Sequence, residues 1–179
     1  MAQKDQLLES DLSMDPFLVF QEWFSAASDA GIPEPNAMCL ATASESSVSS
    51  RMVLMKYWDT KGFVFFTNYG SRKANQIRAN SHVALLFYWE PMHRQVRIEG
   101  VAEKTTMAES LKYFATRPRG SQLGAWCSAQ STTISTREAL MSKLDEIKRK
   151  FANREVPLPE LWGGYRVVPN RIEFWQAGE

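Results

Sequence analysis

The sequence predicts a mainly β fold with helices, built on an antiparallel sheet that closes into a barrel. Apolar or alternating segments typical of strands occupy the middle of the chain and are separated by short turns, which favours antiparallel neighbours. Helical patterns lie near the start and in the second half. The 179 residues are 44% hydrophobic and 23% charged, as in a single soluble domain. We therefore expect one domain over residues 15–179, preceded by a flexible arm over residues 1–14.

The first half of the chain is predicted to contain two helices and four strands. Asp15 and Pro16 suit the N-cap and first position of a helix, whose apolar residues recur at helical spacing until Gly31. Ser71 can cap a second, shorter helix that ends near residue 80. Alternating or continuous apolar residues indicate the strands, which are 37–42, 48–58, 63–67 and 83–89.

The second half mixes strands with longer helices. Residues 95–101 alternate polar and apolar side chains, as a strand with one buried face does. Helices are predicted over 106–116 and 136–152, with a loop at 117–120 because Pro118 and Gly120 interrupt the first of them. Two last strands are predicted, over 165–168 and 171–175.

Composition argues against several classes of function. The net charge of +1 gives no overall field that would attract nucleic acid or an anionic membrane. No apolar run approaches the roughly 20 residues of a membrane span, and the polar start of the chain lacks the core of a signal peptide. Two cysteines far apart and two isolated histidines predict neither a disulfide nor a metal site. We therefore expect a cytoplasmic protein with reduced thiols and no metal, nucleic-acid or membrane partner.

Three neighbouring segments carry the strongest functional signal. Arg51 and Lys56 enclose an apolar stretch, Phe66 and Thr67 end the next strand, and Ser71-Arg72-Lys73 begins a helix. Cations and the free N–H groups of a helix start bind phosphate, and the apolar residues between them suit a flat ring. Alternation would put Arg51 and Lys56 on opposite faces, so that they serve different groups, a bulge re-aims one, or both are solvated. Together the segments favour a phosphorylated aromatic ligand.

A second cationic group lies further along the chain. Tyr113, Arg117 and Ser121 are spaced four residues apart at a predicted helix end, where they could hold a second phosphate. Alternatively, Arg117 is simply favoured there by the helix dipole. Gln95 either hydrogen-bonds the polar edge of a ring or is an exposed strand residue. Because the sequence has no glycine-rich nucleotide loop and no recognisable serine–histidine–aspartate order, a bound cofactor is the better source of chemistry.

The order of these segments resembles the pyridoxamine 5′-phosphate oxidase family. They cover nearly the whole chain from Asp15 onward. The resemblance implies an FMN-binding split β-barrel that works as a homodimer, with FMN in a cleft between the subunits. The matching strings are Ser49-Ser-Arg-Met-Val-Leu-Met-Lys56, Gly62-Phe-Val-Phe-Phe-Thr-Asn68, Ser71-Arg-Lys73, Arg94-Gln-Val-Arg-Ile-Glu-Gly100, Tyr113-Phe-x-x-Arg-Pro118, Ser121-Gln-Leu-Gly-Ala-Trp126, Gln130-Ser131, Trp162-Gly-Gly-Tyr-Arg166 and Ile172-Glu-Phe-Trp-Gln176.

The same resemblance implies roles for individual residues. It assigns no catalytic side chain, because hydride passes directly to FMN, and its two phosphates account for the two cationic groups. One subunit would contact FMN through Arg51, Met52, Val53, Leu54, Met55, Lys56, Phe66, Thr67, Arg72 and Lys73. The other subunit would contact it through Gln95, Gln130, Ser131 and Trp175. The substrate phosphate would be held by Lys56, Tyr113, Arg117 and Ser121.

The family reaction removes a hydride from the 4′ carbon of pyridoxine or pyridoxamine 5′-phosphate, and O2 then reoxidises the flavin with release of H2O2. Two alternatives stay open: a related split-barrel oxidase with another substrate, as in phenazine biosynthesis, and a non-catalytic protein that binds flavin or pyridoxal phosphate. Family members continue past the last matching string with an Arg-Leu-His-Asp-Arg stretch that contacts substrate and FMN. The sequence ends at Glu179, before that stretch, so either the tail was removed or this is a shortened member of the family; if the protein truly lacks the tail, we expect weaker FMN retention and little activity.

Overall fold

The computed structural model describes residues 7–8, 12–127, 131 and 136–178. These residues form five α-helices and seven β-strands. The helices are α1 (Pro16–Asp29), α2 (Arg72–Ala79), α3 (Met107–Thr116), α4 (Arg119–Cys127) and α5 (Arg137–Lys150). The strands are β1 (Ala37–Ala43), β2 (Val48–Leu54), β3 (Tyr57–Asp59), β4 (Gly62–Asn68), β5 (His82–Trp89), β6 (Arg94–Lys104) and β7 (Trp162–Gln176).

The strands form one sheet in the order β2-β1-β5-β6-β7-β4-β3, and every neighbouring pair is antiparallel. The two outermost strands, β2 and β3, are consecutive in the chain and are joined by only Met55 and Lys56. A flat sheet of this width could not bring its edges so close, so the sheet curls until they meet. The predicted antiparallel barrel is therefore confirmed.

Helix α1 fills the concave side of the curled sheet. Its N-cap Asp15 accepts a hydrogen bond from the Phe17 N–H at 2.9 Å, as the sequence predicts. Phe20 is fully buried and makes edge-on ring contacts with Phe63 at 4.8 Å and with Phe87 at 5.2 Å. Such contacts between locked aromatic rings fix the helix in one orientation.

A second apolar cluster joins α3, α4 and α5 to the start of β7. Its buried members include Phe114 from α3, Leu123 from α4, Ile147 from α5 and Trp162 from β7. Trp162 is 8% exposed and packs edge-on against Phe114, with ring centroids 5.1 Å apart. This cluster positions the helical half of the molecule beside the end of β4.

Three sequence predictions of local structure are wrong, and each error has a physical cause. The predicted strand over 48–58 is divided into β2 and β3, because both backbone groups of Met55 bond to Asn36 rather than to a neighbouring strand. The Met55 N–H donates to the Asn36 carbonyl, and Asn36 Nδ2 donates to the Met55 carbonyl, both at 2.9 Å. The chain can therefore turn at Met55 without leaving buried polar groups unpaired.

The predicted loop after residue 117 is instead the start of α4. Pro118 precedes the helix and accepts from the Ser121 and Gln122 N–H groups at 2.8 and 3.1 Å, a position that proline tolerates. The predicted break between two final strands is also absent. Strand β7 runs through Pro169, where the ladder with β6 shifts register between Glu99 and Gly100, so the missing proline N–H falls at an irregularity.

Candidate active site

A cleft of about 500 Å³ opens between β2, the end of β4, the start of α2 and the corner between α3 and α4. Apart from Thr116 and Pro118, every residue that lines it is one of those predicted to contact FMN or substrate. The structure therefore gathers side chains that are up to 69 positions apart in the sequence. The lining consists of Met52, Val53, Leu54, Lys56, Phe66, Thr67, Lys73, Tyr113, Thr116, Arg117, Pro118 and Ser121.

One side of the cleft is cationic. Lys73 Nζ lies 3.2 Å from Thr67 Oγ1, and the pKa of Lys73 is lowered by burial and then by the nearby charge of Arg51. Burial and the charge of Arg72 likewise lower the pKa of Arg51. In the part of the chain that the structure describes, no carboxylate forms an ion pair with Arg51 or Arg72. Like charges that repel without an acidic counterpart are suited to a dianion.

The second cationic group lines the same cleft. Lys56 and Arg117 both line the cleft, and the pKa of Lys56 is lowered by burial and then by Arg117. The Arg117 guanidinium lies 4.7 Å from the centre of the Trp162 ring. Its Nη1 atom is buried and has no hydrogen-bond partner among the described residues. An unpaired buried donor is costly unless a ligand satisfies it, so Arg117 fits an anion such as the substrate phosphate.

Stacked aromatic rings form an aromatic wall of the cleft, where Phe66 and Tyr113 belong to the lining. The Phe66 ring stacks on Tyr113 with centroids 4.1 Å apart and on Trp162 with centroids 5.2 Å apart. The three rings are within 20° of parallel, so the wall is rigid. Burial raises the pKa of the Tyr113 phenol, which therefore keeps its proton and can donate it to a phosphate oxygen.

Several predicted contact residues lie outside this cleft. Met55 is 2% exposed, packs in the main core, and uses both backbone groups in hydrogen bonds to Asn36. Arg51 and Arg72 lie behind or beside the lining, and the Arg51 guanidinium is held by residues of β1, β2 and α2. Their charges still act on the cleft through Lys73 and Arg51 respectively.

The residues predicted to come from the other subunit are also separate from the cleft. Gln95 and Trp175 are directly opposite each other on β6 and β7, and Trp175 is 49% exposed. Ser131 is exposed and has a positive φ of 67°, whereas Gln130 falls outside the described residues. A single chain thus presents two unconnected groups of predicted flavin contacts, which is the arrangement expected if each site is built from two chains.

Two supporting residues escaped the sequence prediction. Trp162 lies beneath both Phe66 and Arg117, and Gln76 from α2 contacts the Arg51 guanidinium. Trp162 begins one of the strings that carry the family resemblance, which was the one available signal. Nothing in the spacing of Gln76 points to Arg51, because that contact depends on how α2 packs on β1 and β2.

A hydrogen-bonded carboxylate fixes the start of α3, the helix that carries Tyr113. Thr106 caps the helix, and Glu109 accepts from the Thr106 N–H at 2.9 Å in a reciprocal capping box. Glu109 also accepts from Arg166 Nη2 at 3.0 Å, which ties α3 to β7. The bonds from the Thr106 backbone and hydroxyl, and then those from Arg166, lower the pKa of Glu109 to about 2.

We expect Glu109→Gln to lower the free energy of unfolding at neutral pH and to have progressively less effect in acid. The pKa of Glu109 is below its ordinary value of 4.5 in the folded protein, so its stabilisation is complete above that value and is lost as the pH falls from about 4.5 to about 2. Urea denaturation of both proteins at pH 7, 4 and 3 measures the difference. Glu155→Gln, at an exposed loop position, is the control and should leave the free energy of unfolding unchanged. A loss of stability in Glu109→Gln that is the same at all three pH values would contradict the prediction.

Within the ranges that the structure describes, no helix has the length and apolar character needed to cross a bilayer. Those ranges likewise contain no group of three or more His, Cys, Asp or Glu side chains that could hold a metal ion.

The curled antiparallel sheet, with a cationic and aromatic cleft at its closure, places the protein in the split-barrel class. The fold is shared with an FMN-binding protein from Nostoc punctiforme, with a TM-score of 0.68 at 13% identity over 91% of this chain and 86% of that one. The chain belongs to the pyridoxamine 5′-phosphate oxidase family. The family model described as pyridoxamine 5′-phosphate oxidase matches residues 24–151, and that of the pyridoxine 5′-phosphate oxidase C-terminal dimerisation region matches residues 162–179.

Individual relatives agree with this assignment. The pyridoxine/pyridoxamine 5′-phosphate oxidase of Crocosphaera subtropica is 61% identical over 172 residues, which are 96% of this chain and 80% of the relative. The enzyme of the same name from Rippkaea orientalis is 59% identical, with 96% and 81% covered. Among solved structures, PhzG from Burkholderia lata, in complex with tetrahydrophenazine-1-carboxylic acid, superposes with a TM-score of 0.90 at 30% identity over 97% of this chain and 86% of that one.

Proposed function

We propose that the protein oxidises pyridoxine 5′-phosphate and pyridoxamine 5′-phosphate to pyridoxal 5′-phosphate with FMN as cofactor. When bound, FMN would supply the hydride acceptor, and O2 would be reduced to H2O2. The alcohol needs no further reactant, whereas the amine also consumes water and releases ammonia. The observation that carries the proposal is one cleft that brings together two groups of cationic side chains and an aromatic wall, in a chain 61% identical to a relative of that name.

The residues of the first cationic group fit the phosphate of FMN. Lys73 and Thr67 line the cleft, while Arg51 and Arg72 add positive charge beside it. Ser71 caps α2 by accepting from the Ala74 N–H, so the positive end of that helix dipole lies at the same cationic group. These features support FMN over an unphosphorylated flavin.

The second cationic group fits the substrate phosphate. Lys56 and Arg117 provide charge, Tyr113 provides a neutral phenol, and Ser121 adds a hydroxyl in the first turn of α4. With both phosphates anchored, these residues would hold the two bound rings in a fixed orientation relative to each other. Orientation of this kind is the principal contribution that a protein makes to a hydride transfer between two bound molecules.

We further propose that the working unit is a homodimer with FMN between the subunits. In support, Gln95 and Trp175 lie away from the cleft of their own chain, and the exposed Trp175 ring falls within the segment that matches the dimerisation region. In this arrangement Gln95, Gln130, Ser131 and Trp175 of one subunit would complete the flavin site of the other.

A second candidate is an oxidase of a phenazine precursor, which the similarity to PhzG favours. The grouping of Lys56, Arg117 and Ser121 in one cleft argues for a phosphorylated substrate instead. A third candidate, a non-catalytic carrier of flavin or pyridoxal phosphate, would bind these ligands without turnover.

A turnover assay separates the candidates. The purified protein is loaded with FMN, and H2O2 release is followed after addition of pyridoxine 5′-phosphate, pyridoxamine 5′-phosphate or unphosphorylated pyridoxine. We expect peroxide with the two phosphorylated compounds and much less with pyridoxine. FMN binding without peroxide would favour the carrier, and failure of the protein to bind FMN would contradict the proposal.

A further inference from the structure

Gln76 is a buried amide at the centre of a closed hydrogen-bond network beside the cleft. It lies on α2 and is 8% exposed. Its Oε1 atom accepts from Thr42 Oγ1 at 2.8 Å, from Ser49 Oγ at 2.9 Å and from Arg51 Nη2 at 3.0 Å. Because an arginine can only donate, the amide oxygen rather than the nitrogen must face Arg51.

The remaining contacts of Arg51 complete the network. Its Nη1 donates to the Leu40 carbonyl at 3.1 Å and to Thr42 Oγ1 at 2.7 Å, and its Nη2 donates to Ser49 Oγ at 2.7 Å. With the bond to Gln76, these contacts use all four terminal N–H groups of the guanidinium. The hydroxyls of Thr42 and Ser49 accept from Arg51 and donate their own O–H groups to Gln76 Oε1. The guanidinium is therefore held in one position by three elements, β1, β2 and α2.

Every acceptor in this network is neutral. A carbonyl, two hydroxyls and an amide oxygen hold Arg51, although a carboxylate at residue 76 would have the same shape and would bind the guanidinium more strongly. A carboxylate would also cancel the positive charge that Arg51 adds next to Arg72 and Lys73. The network thus fixes the guanidinium without neutralising it.

We propose that Gln76 is a positioning residue for cofactor binding, which holds Arg51 through a neutral oxygen so that its full charge attracts the phosphate of FMN. The inference rests on the proposed function, since it takes FMN to be the ligand of this side of the cleft. It predicts that the identity of residue 76 determines how strongly the site prefers a phosphorylated flavin over riboflavin, which has the same ring system and no phosphate.

The test is the variant Gln76→Glu, which keeps the side-chain shape and adds one negative charge. Binding of FMN and of riboflavin to the flavin-free protein is measured by quenching of flavin fluorescence, and the thermal midpoint is measured in parallel. We expect the Kd of FMN to rise roughly 10- to 100-fold, the Kd of riboflavin to change less than about twofold, and the thermal midpoint to be unchanged or higher. Asn75→Asp is the matched control: it adds the same charge one residue away on α2, at an exposed position beside Arg78, and should leave both Kd values near those of the wild type.

A second variant guards against a folding defect in the first. Ser49→Asp brings a carboxylate to the same guanidinium from β2 and should weaken FMN binding in the same selective way. Equal FMN affinity in the wild type and in these variants would overturn the inference but not the proposed function. Equal weakening of FMN and riboflavin, with a lower thermal midpoint, would also overturn it, because it would show a purely structural role. A wild-type protein that binds no FMN would overturn the proposed function together with the inference.

Discussion

Replacing Arg117 with alanine should raise the KM for pyridoxine 5′-phosphate much more than it lowers kcat. Arg117 is placed over the Trp162 ring with a buried Nη1 that no described residue satisfies, so its hydrogen-bonding capacity is directed to a ligand. A hydrogen bond to a charged group contributes about 1.5–3 kcal/mol, which corresponds to a loss of roughly 10- to 150-fold in kcat/KM. A contact made equally in the ground state and in the transition state appears in KM rather than in kcat.

Steady-state H2O2 release measures this effect, and two further variants interpret it. Arg117→Lys keeps the charge without the planar fork and should lie between alanine and the wild type. Arg137→Ala removes an exposed arginine at the start of α5 and should change neither constant. If Arg117→Ala reduced turnover of unphosphorylated pyridoxine by the same factor, the assignment of Arg117 to the substrate phosphate would be wrong.

Gly164→Ala should both destabilise the protein and weaken substrate binding. A Cβ atom at Gly164 would lie 2.6 Å from Thr105 Oγ1 and 2.9 Å from Phe66 Cε1. Neither neighbour can move easily. Thr105 donates its N–H to the Gly164 carbonyl at 2.9 Å, and the Phe66 ring stacks on both Tyr113 and Trp162. Inserting a methyl group into so tight a space typically costs about 1–3 kcal/mol.

The Gly164→Ala substitution should also weaken substrate binding, because the Phe66 ring that the new methyl group displaces lines the cleft. Thermal unfolding and the KM for pyridoxine 5′-phosphate are the two measurements. Gly124→Ala is the matched control, since its added Cβ would meet no atom within 4 Å and would lie in the interior of α4. There the same substitution should raise stability by roughly 0.5–1 kcal/mol. A Gly164→Ala protein as stable as the wild type would show that the aromatic wall is more yielding than its contacts indicate.

Local signals in the sequence were sufficient for most elements of the fold. The caps Asp15 and Ser71 and the spacing of apolar residues locate the remaining helices and strands to within three residues of their observed ends. The errors occur where distant residues decide the conformation. Asn36 turns the chain at Met55 from 19 residues away, and α4 forms across Gly120 and Gly124 because Leu123 and Cys127 are buried in the second apolar cluster.

The candidate site shows the same division. The cationic and hydroxyl side chains could be selected from the sequence, because their chemistry is visible in their residue types. The residues that hold these side chains in place could not be selected in this way. Gln76 contacts Arg51 only because α2 packs on the sheet, and Trp162 contacts Arg117 from 45 positions further along the chain. The sequence left open whether Arg51 and Lys56 lie on opposite faces of one strand. The turn at Met55 ends the strand alternation between these two residues, so alternation does not decide where Lys56 lies.

The position of the cleft on the curled sheet has a mechanical consequence. Its walls come from β2, one edge of the sheet, and from β4, next to the opposite edge, so the bound molecules bridge the seam along which the barrel closes. Two anchored phosphates would therefore act as non-covalent cross-links between the two edges. A ligand at 100 times its Kd stabilises the state that binds it by about 2.7 kcal/mol. Bound cofactor and substrate would therefore oppose any motion that separates the two edges of the sheet. The protein would be at its most rigid when its site is full.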